Sequence, residues 1–350
     1  MIRVIASLLI LATTLALATP VLAADVIGLS LPLSGRYARV GQDIEQGVLR
    51  ALADHSAKGG VRPEIALIDD GCNAAGARSG IKRLARRSAD VIIGVPCFEP
   101  ALVYAEETDL PVLAAGLRHP QVEAKVTAGR IHVLGPAPDA EALTVADRVL
   151  TRWRNTPFAL VDDGSVRGRA LTDRLRALAE ERGLRPQQVA TFRPLQSNQS
   201  ALLRRLKQAG VEAVFVAGEA EDVATFARDA ARLDRMEVAA GETGALLPHL
   251  RETTVPSGLI VVARPPRRAA RPAALLIERL EGRSTYPADG LLEGYALTQV
   301  ALALLDGGNL NDTAFDTVLG RLRFRDGRVE PQPFEPLRWN GQALVPLETQ

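Results

Sequence analysis

Two kinds of stretch alternate along most of the chain. Short runs are apolar at nearly every position, and between them lie longer segments in which apolar residues return every three or four positions. The runs 26–32 (VIGLSLP), 64–69 (EIALID), 90–95 (DVIIGV) and 111–116 (PVLAAG) have the length and the Val, Ile and Ala content of strands. The segments at about 38–55 and 74–87, and a shorter one before 111, have the period of amphipathic helices. Strands without a polar face, separated by helices, predict a parallel sheet covered on both sides. The chain up to about residue 130 therefore reads as one doubly wound lobe.

The same order begins again after 130–142 (RIHVLGPAPDAEA), where Gly135, Pro136 and Pro138 interrupt the pattern. A helix over 140–153 precedes a strand at 157–163 (PFALVDD), followed by a helix over 168–182 and a strand at 188–194 (QVATFRP). A helix through 206, a strand at 212–218 (EAVFVAG), a helix through 233 and a strand at 236–241 (MEVAAG) continue the series. The run 258–272 (GLIVVARPPRRAARP) carries Pro265, Pro266 and Pro272, which mark another passage between units. Helical stretches follow near 274–280 and 289–305, and the tail 335–347 (EPLRWNGQALVPL) reads as two short strands about a turn at Asn340 and Gly341. A chain of 350 residues exceeds what one core usually supports, so two lobes are expected.

The first 23 residues stand apart: one early Arg, an apolar stretch from Val4 to Leu17, and small residues at Val21 and Ala23. That is the form of a secretory signal peptide, and its apolar part is shorter than the roughly 20 residues of a membrane helix. An exported chain beginning at Ala24, not embedded in a membrane, is the expectation. Beyond Arg3 the basic and acidic residues balance at 41 each, which leaves no electrostatic ground for nucleic acid or membrane binding. Two Trp, four Tyr and eight Phe are few, which weakens functions that rely on aromatic stacking. Cys72 and Cys97 are the only cysteines, and an isolated pair in an exported chain is most simply a disulfide. A metal site would need further ligands, and His55, His119, His132 and His249 show no paired spacing.

Four landmarks then carry a resemblance. The stretch 31–47 (LPLSGRYARVGQDIEQG) resembles a first strand-to-helix turn, and 69–84 (DDGCNAAGARSGIKRL) with 92–97 (IIGVPC) a second and third strand with cysteines at their ends. The stretch 160–171 (LVDDGSVRGRAL) resembles the start of a second lobe, and 294–305 (GYALTQVALALL) a late helix. In order and spacing they resemble the type I periplasmic solute-binding proteins, specifically the branched-chain amino acid and amide-binding branch (Leu/Ile/Val-binding proteins) that serves ABC importers. The resemblance implies an α/β fold of two doubly wound parallel-sheet lobes joined by three crossings. Its expected parts are a signal peptide at 1–23, an N-terminal lobe of 24–136 plus 264–325, and a C-terminal lobe of 137–263 plus 326–350. It also implies a periplasmic monomer without cofactor or metal, whose partners are a small-molecule ligand and an ABC transporter permease. Independently, the C-terminal ends of strands in an open parallel sheet face the crevice where ligands usually bind, and a hinge at the crossings would close it.

The resemblance nominates site residues turn by turn. After the third strand the family offers hydroxyl and N–H groups to a ligand carboxylate; here Phe98, Glu99 and Pro100 follow. Phe98 has no donor and Glu99 would repel an acid, so the other reading is that Phe98 packs beneath the disulfide and Glu99 caps the next helix. In 114–120 (AAGLRHP), Arg118 either holds a carboxylate through its fork or pairs with Glu99. Arg167, in 162–168 (DDGSVRG), stands where the family often has an aromatic residue, or is a solvated Arg at a helix start. Glu242, in 240–245 (AGETGA), matches the acid that holds a ligand ammonium, and Glu219, in 217–222 (AGEAED), either faces the ligand or caps a helix. Tyr37, after Ser34 and Gly35, is a candidate for the cleft wall. Together these predict a small polar or charged organic ligand, amino-acid-like or an amide, with Glu242 and Glu219 facing a cation or amide and Arg118 facing an acid or carbonyl.

An enzyme is not expected, because no G-x-S-x-G elbow, H-E-x-x-H pair or phosphate-binding G-x-x-x-x-G-K run occurs. A soluble ligand sensor that docks on a membrane signalling partner remains the alternative, since fold does not separate capture from sensing.

Overall fold

The computed structural model describes residues 24–233, 236–245, 247–264, 270–281, 289–329 and 334–348. The expected signal peptide at 1–23 and the prolines Pro265 and Pro266 lie outside these. The first series runs β1 (Val26–Leu31), α1 (Ala38–Ala57), β2 (Glu64–Asp69), α2 (Ala74–Arg86), β3 (Val91–Gly94), α3 (Phe98–Glu107), β4 (Val112–Ala115), α4 (Pro120–Thr127) and β5 (His132–Leu134). The second runs α5 (Ala140–Val145), β6 (Phe158–Asp162), α6 (Val166–Glu181), β7 (Gln188–Thr191), α7 (Ser200–Gln208), β8 (Ala213–Ala217), α8 (Ala220–Ala230), β9 (Glu237–Ala240), α9 (Leu247–Glu252) and β10 (Ile260–Ala263). Then come α10 (Arg271–Glu281), α11 (Asp289–Leu305), β11 (Ala314–Thr317), β12 (Gly320–Arg325), β13 (Arg328–Val329), β14 (Glu335–Trp339) and β15 (Leu344–Pro346).

Among the described residues these strands form two sheets, ordered β11-β12-β13-β5-β4-β3-β1-β2 and β15-β14-β10-β9-β8-β6-β7. Each is parallel through its centre and antiparallel at one edge, where β11 to β13 close the first sheet and β14 and β15 the second. Central strands such as β1, β3, β6 and β8 are buried at every position, as their unbroken apolar runs require. The edge strands β2 and β7 expose residues, which explains Glu64 and Gln188 in them. The α/β two-lobed architecture expected from the sequence is present, with mixed rather than purely parallel sheets.

Three details differ from the sequence reading. The hairpin β11–β12 has no counterpart in it. The second segment of the C-terminal lobe is expected to begin at 326, yet Arg328 pairs with Val133 of β5, so β13 belongs to the first sheet. The cause is a two-residue hairpin loop: Arg325 pairs with Arg328 around Asp326 and Gly327, both with positive φ (48° and 74°). An Asp-Gly loop of that kind returns the chain at once to its own sheet. Finally, the helix expected over 140–153 is α5 continued by a π-helical turn, Ala146–Leu150, where Thr151 donates both its N–H and its Oγ1 hydroxyl to the Ala146 carbonyl.

Each lobe has its own packed layers. In the first, α1 and α11 lie side by side against the sheet, with Ile44, Val48, Leu292 and Val300 in one core. The helices approach so closely that a Cβ at Gly47 would stand 2.0 Å from the Leu291 carbonyl oxygen, which restricts that position to glycine. In the second, Trp153 and Trp339 anchor the two faces of the sheet, each nearly fully buried. No described helix is long and apolar enough to cross a membrane.

Candidate functional site

The C-terminal ends of strands from both sheets converge on a cluster of charges. Arg118 follows β4 of the first sheet; Glu242 and Arg264 follow β9 and β10 of the second. Glu141 comes from the first turn of α5, just past the first passage between the sheets, where an acid suits the positive end of a helix. An Arg118 Nη2 donates to Glu242 Oε2 at 2.7 Å, joining the lobes. Arg264 Nε donates to the other oxygen, Oε1, of the same carboxylate. The Glu242 backbone N–H donates to Glu141 Oε1 at 2.8 Å. Glu141 Oε2 lies a further 3.9 Å from Arg118 Nη1 and 3.7 Å from Arg167 Nη2.

Gly241 makes this packing possible, since a Cβ there would stand 2.2 Å from Glu141 Oε1. Burial pushes the Glu242 carboxyl up, but the guanidinium groups of Arg118 and Arg264 outweigh it and hold it below the usual carboxylate range. Glu242 is therefore ionised at neutral pH and fully paired. Arg118 also lies over the Phe334 ring, 5.6 Å from its centroid. The Arg118 and Glu242 side chains keep 23% and 21% exposure, so water and small solutes still reach the pair.

Beside the cluster is a recess in the second lobe, lined by Glu141, Asp163, Ser165, Arg167, Glu219 and Thr243, with space of about 10 Å³, enough for one water molecule. Ser165 caps α6 by accepting from Gly168 N at 2.9 Å, and Thr243 Oγ1 donates to the Gly218 carbonyl at 2.7 Å, tying the β8 and β9 ends together. Arg167 is half exposed on the rim. Glu219 occupies the N-cap position of α8, but its side chain makes no capping hydrogen bond.

The remaining candidates sit on the first lobe and face other partners. Phe98 opens α3 and stacks on His119 at 4.2 Å between centroids, next to Arg118 in sequence, rather than packing under the disulfide. Glu99 accepts from Ala74 N at 3.2 Å, at the start of α2, and so is not the partner of Arg118. Tyr37 ends a 3-10 turn, Gly35–Tyr37, with Arg36 over its ring at 4.5 Å. Cys72 and Cys97 form a disulfide with 5.4 Å between Cα atoms, joining the turn after β2 to the N-cap of α3.

Glu141 and Arg264 were missed from the sequence, although each left a trace there. Glu141 lies at helical spacing from Val145 and Val149, so it is an acid on an apolar stripe. Arg264 is the first polar residue after an unbroken apolar strand, the position from which side chains face the crevice of such sheets.

The sequence pattern of the family described as periplasmic binding protein matches residues 26–336 of this chain. An amino acid binding protein of Pseudomonas aeruginosa is 23% identical over 317 residues, covering 87% of this chain and 84% of that protein. Leu/Ile/Val-binding protein homolog 2 of Brucella abortus is 23% identical over 342 residues, covering 90% and 91%. The crystal structure of an amino acid ABC transporter substrate-binding protein from Pseudomonas fluorescens superposes with a TM-score of 0.69 at 15% identity, over 92% of this chain and 94% of that one. At that identity the last similarity shows a shared fold.

Proposed function

Because the chain belongs to the periplasmic binding protein family, we propose that it captures a small polar organic ligand, amino-acid-like or an amide, between its lobes and delivers it to the permease of an ABC importer. The protein is exported by the segment 1–23 and acts as a monomer in the periplasm. One observation carries the reading: two groups of opposite charge, Arg118 and Glu242, meet from different lobes at strand C-termini and remain open to solvent. Such a pair offers a ligand two handles. A ligand carboxylate or carbonyl takes the place of Glu242 on Arg118, and a ligand ammonium or amide N–H takes the place of Arg118 on Glu242. Arg264 keeps Glu242 ionised throughout, and Glu141 holds its backbone, so the acceptor is preset before the ligand arrives. Arg167 and Glu219 on the adjoining recess meet the rest of the ligand. No bond is made or broken in this cycle.

Thermal unfolding of protein stripped of bound ligand, against amino acids, amides, short peptides, polyamines and aromatic acids, tests it. A true ligand at about a thousand times its dissociation constant adds roughly 4 kcal/mol, a shift of several degrees at this size. The expected result is a shift confined to one chemical class and abolished by Glu242→Ala. No shift with any class would overturn solute capture in favour of a sensing or docking role.

A further inference from the structure

We propose that Arg328 is a positioning residue for lobe closure, tying two of the chain's passages between lobes to the loop that carries Arg118. Its side chain is buried, with 9% of the residue exposed, in β13, an inner strand of the first sheet between β12 and β5. A guanidinium in such a place needs a partner at each nitrogen, and the structure supplies them. Nε donates to Glu123 Oε1 at 3.0 Å and Nη2 to Glu123 Oε2, a two-pronged contact with one carboxylate. Nη1 is directed at three backbone carbonyls, those of Pro136 at 2.9 Å, Gly135 at 3.2 Å and Leu117 at 3.5 Å.

Those partners are not scattered. Gly135 and Pro136 begin the first passage from β5 to α5, and Arg328 itself lies in β13, the last strand before the chain leaves for β14 in the other sheet. Leu117 and Glu123 flank the Arg118 loop, Glu123 in the first turn of α4. One planar group thus fixes where two passages start relative to the side chain that bridges the lobes. Only the arginine fork reaches both the carboxylate and the carbonyls; a lysine ammonium has one nitrogen for all of them.

The role predicts a specific coupling. With the fork lost, the Arg118 loop and the passages shift independently, and the Arg118–Glu242 bridge no longer forms at its set distance. The proposal rests on the reading that the lobes close on a cleft, but its test needs no ligand. Spin labels at Lys82→Cys on the first lobe and Arg185→Cys on the second, both exposed, report interlobe distances by pulsed paramagnetic resonance in ligand-free protein with the native disulfide intact. Arg328→Lys should broaden and lengthen the distribution by several Å, and Arg118→Ala should do the same. Combining them should give no further change, because both act on one bridge. Glu123→Gln, whose side chain is partly exposed, is the milder variant should Arg328→Lys not fold, and is expected to give a smaller shift of the same sign. A lowered melting temperature with an unchanged distance distribution would make Arg328 a stabilising group only, and additive shifts would show that it acts apart from Arg118; either result overturns the proposal. A failure of ligand binding with the distance coupling intact would count against the cleft assignment instead.

Discussion

At the end of β2 the first lobe gathers Ser30, Asp70, Tyr104 and the Cys72–Cys97 bridge; at the ends of β4, β9 and β10 the cleft gathers Arg118, Glu242, Arg264 and Glu141. Both are polar clusters beside strand C-termini. In the first, the Ser30 hydroxyl donates to Asp70 Oδ2 at 2.7 Å and meets the Tyr104 hydroxyl at 2.8 Å, with all three residues fully buried. Asp70 Oδ1 accepts from Cys72 N at 2.8 Å, so the buried network and the covalent bridge hold the same turn. In the second, every link to Glu242 from the other lobe is an ion pair still partly in water. Buried hydrogen bonds and a covalent link suit a turn that must not move within a lobe. Ion pairs that keep contact with water contribute less net energy than dry ones of the same geometry, because solvent competes for both partners, and so suit a contact that opens and closes.

The sharpest way to break this contrast is to remove the bridge. Replacing Cys72 and Cys97 together by Ala should cost roughly 3.5 kcal/mol, the chain-entropy value for a loop of this length, read as a lower denaturant midpoint that reductant no longer affects. No loss would mean that the Asp70 network alone holds the turn. A second measurement uses His132 in β5, where neither ring nitrogen has a hydrogen-bond partner among the described residues and burial holds the imidazole below its ordinary 6.5. Below that value the unfolded chain takes up a proton that the folded one refuses. Stability should therefore fall as pH drops from 6.5 towards the lower folded value, by at most about 1.4 kcal/mol per pH unit, and His132→Leu should flatten that slope in equilibrium unfolding.

Tyr104→Phe deletes one hydroxyl from the buried network and should cost about 1 kcal/mol. Burial and the nearby Asp70 charge push that phenol up to about 12 although the Ser30 bond opposes them, so the loss should be the same throughout the neutral range. Smallest in stability is Glu242→Gln, expected within about 1 kcal/mol of wild type, while ligand-induced shifts disappear. The lowered Glu242 carboxyl gives the matching pH effect. Its contribution is complete above its ordinary 4.5 and is lost as pH falls towards the folded value, so the ion-pair cluster should loosen only in acid. A Glu242 variant as costly as the disulfide variant would erase the distinction between the two regions.

Much of the scaffold was legible along the chain. Unbroken apolar runs mark the central strands, and the cysteine pair could be read as a bridge without its geometry. The β12–β13 hairpin has its signal too, in Asp326-Gly327, and that turn places the passage to the second lobe a few residues later than 326. The site was legible only as a set of turns. The turns mark Glu242 and Arg118 as candidate handles for a ligand; the structure adds that the two pair with each other, and that Glu99 accepts from the start of α2 and not from Arg118.

Local sequence determines where backbone hydrogen bonds form strands and helices, because hydrophobic period and turn chemistry act over a few residues. It therefore settled the α/β class, the two series of elements and the strand ends from which chemistry is presented. Which charges meet is a different kind of fact. Arg118 and Glu242 are 124 residues apart, and their contact depends on how two separately folded sheets face one another across their passages. Ion pairing is decided at ångström range, and only the tertiary structure brings those distances into being.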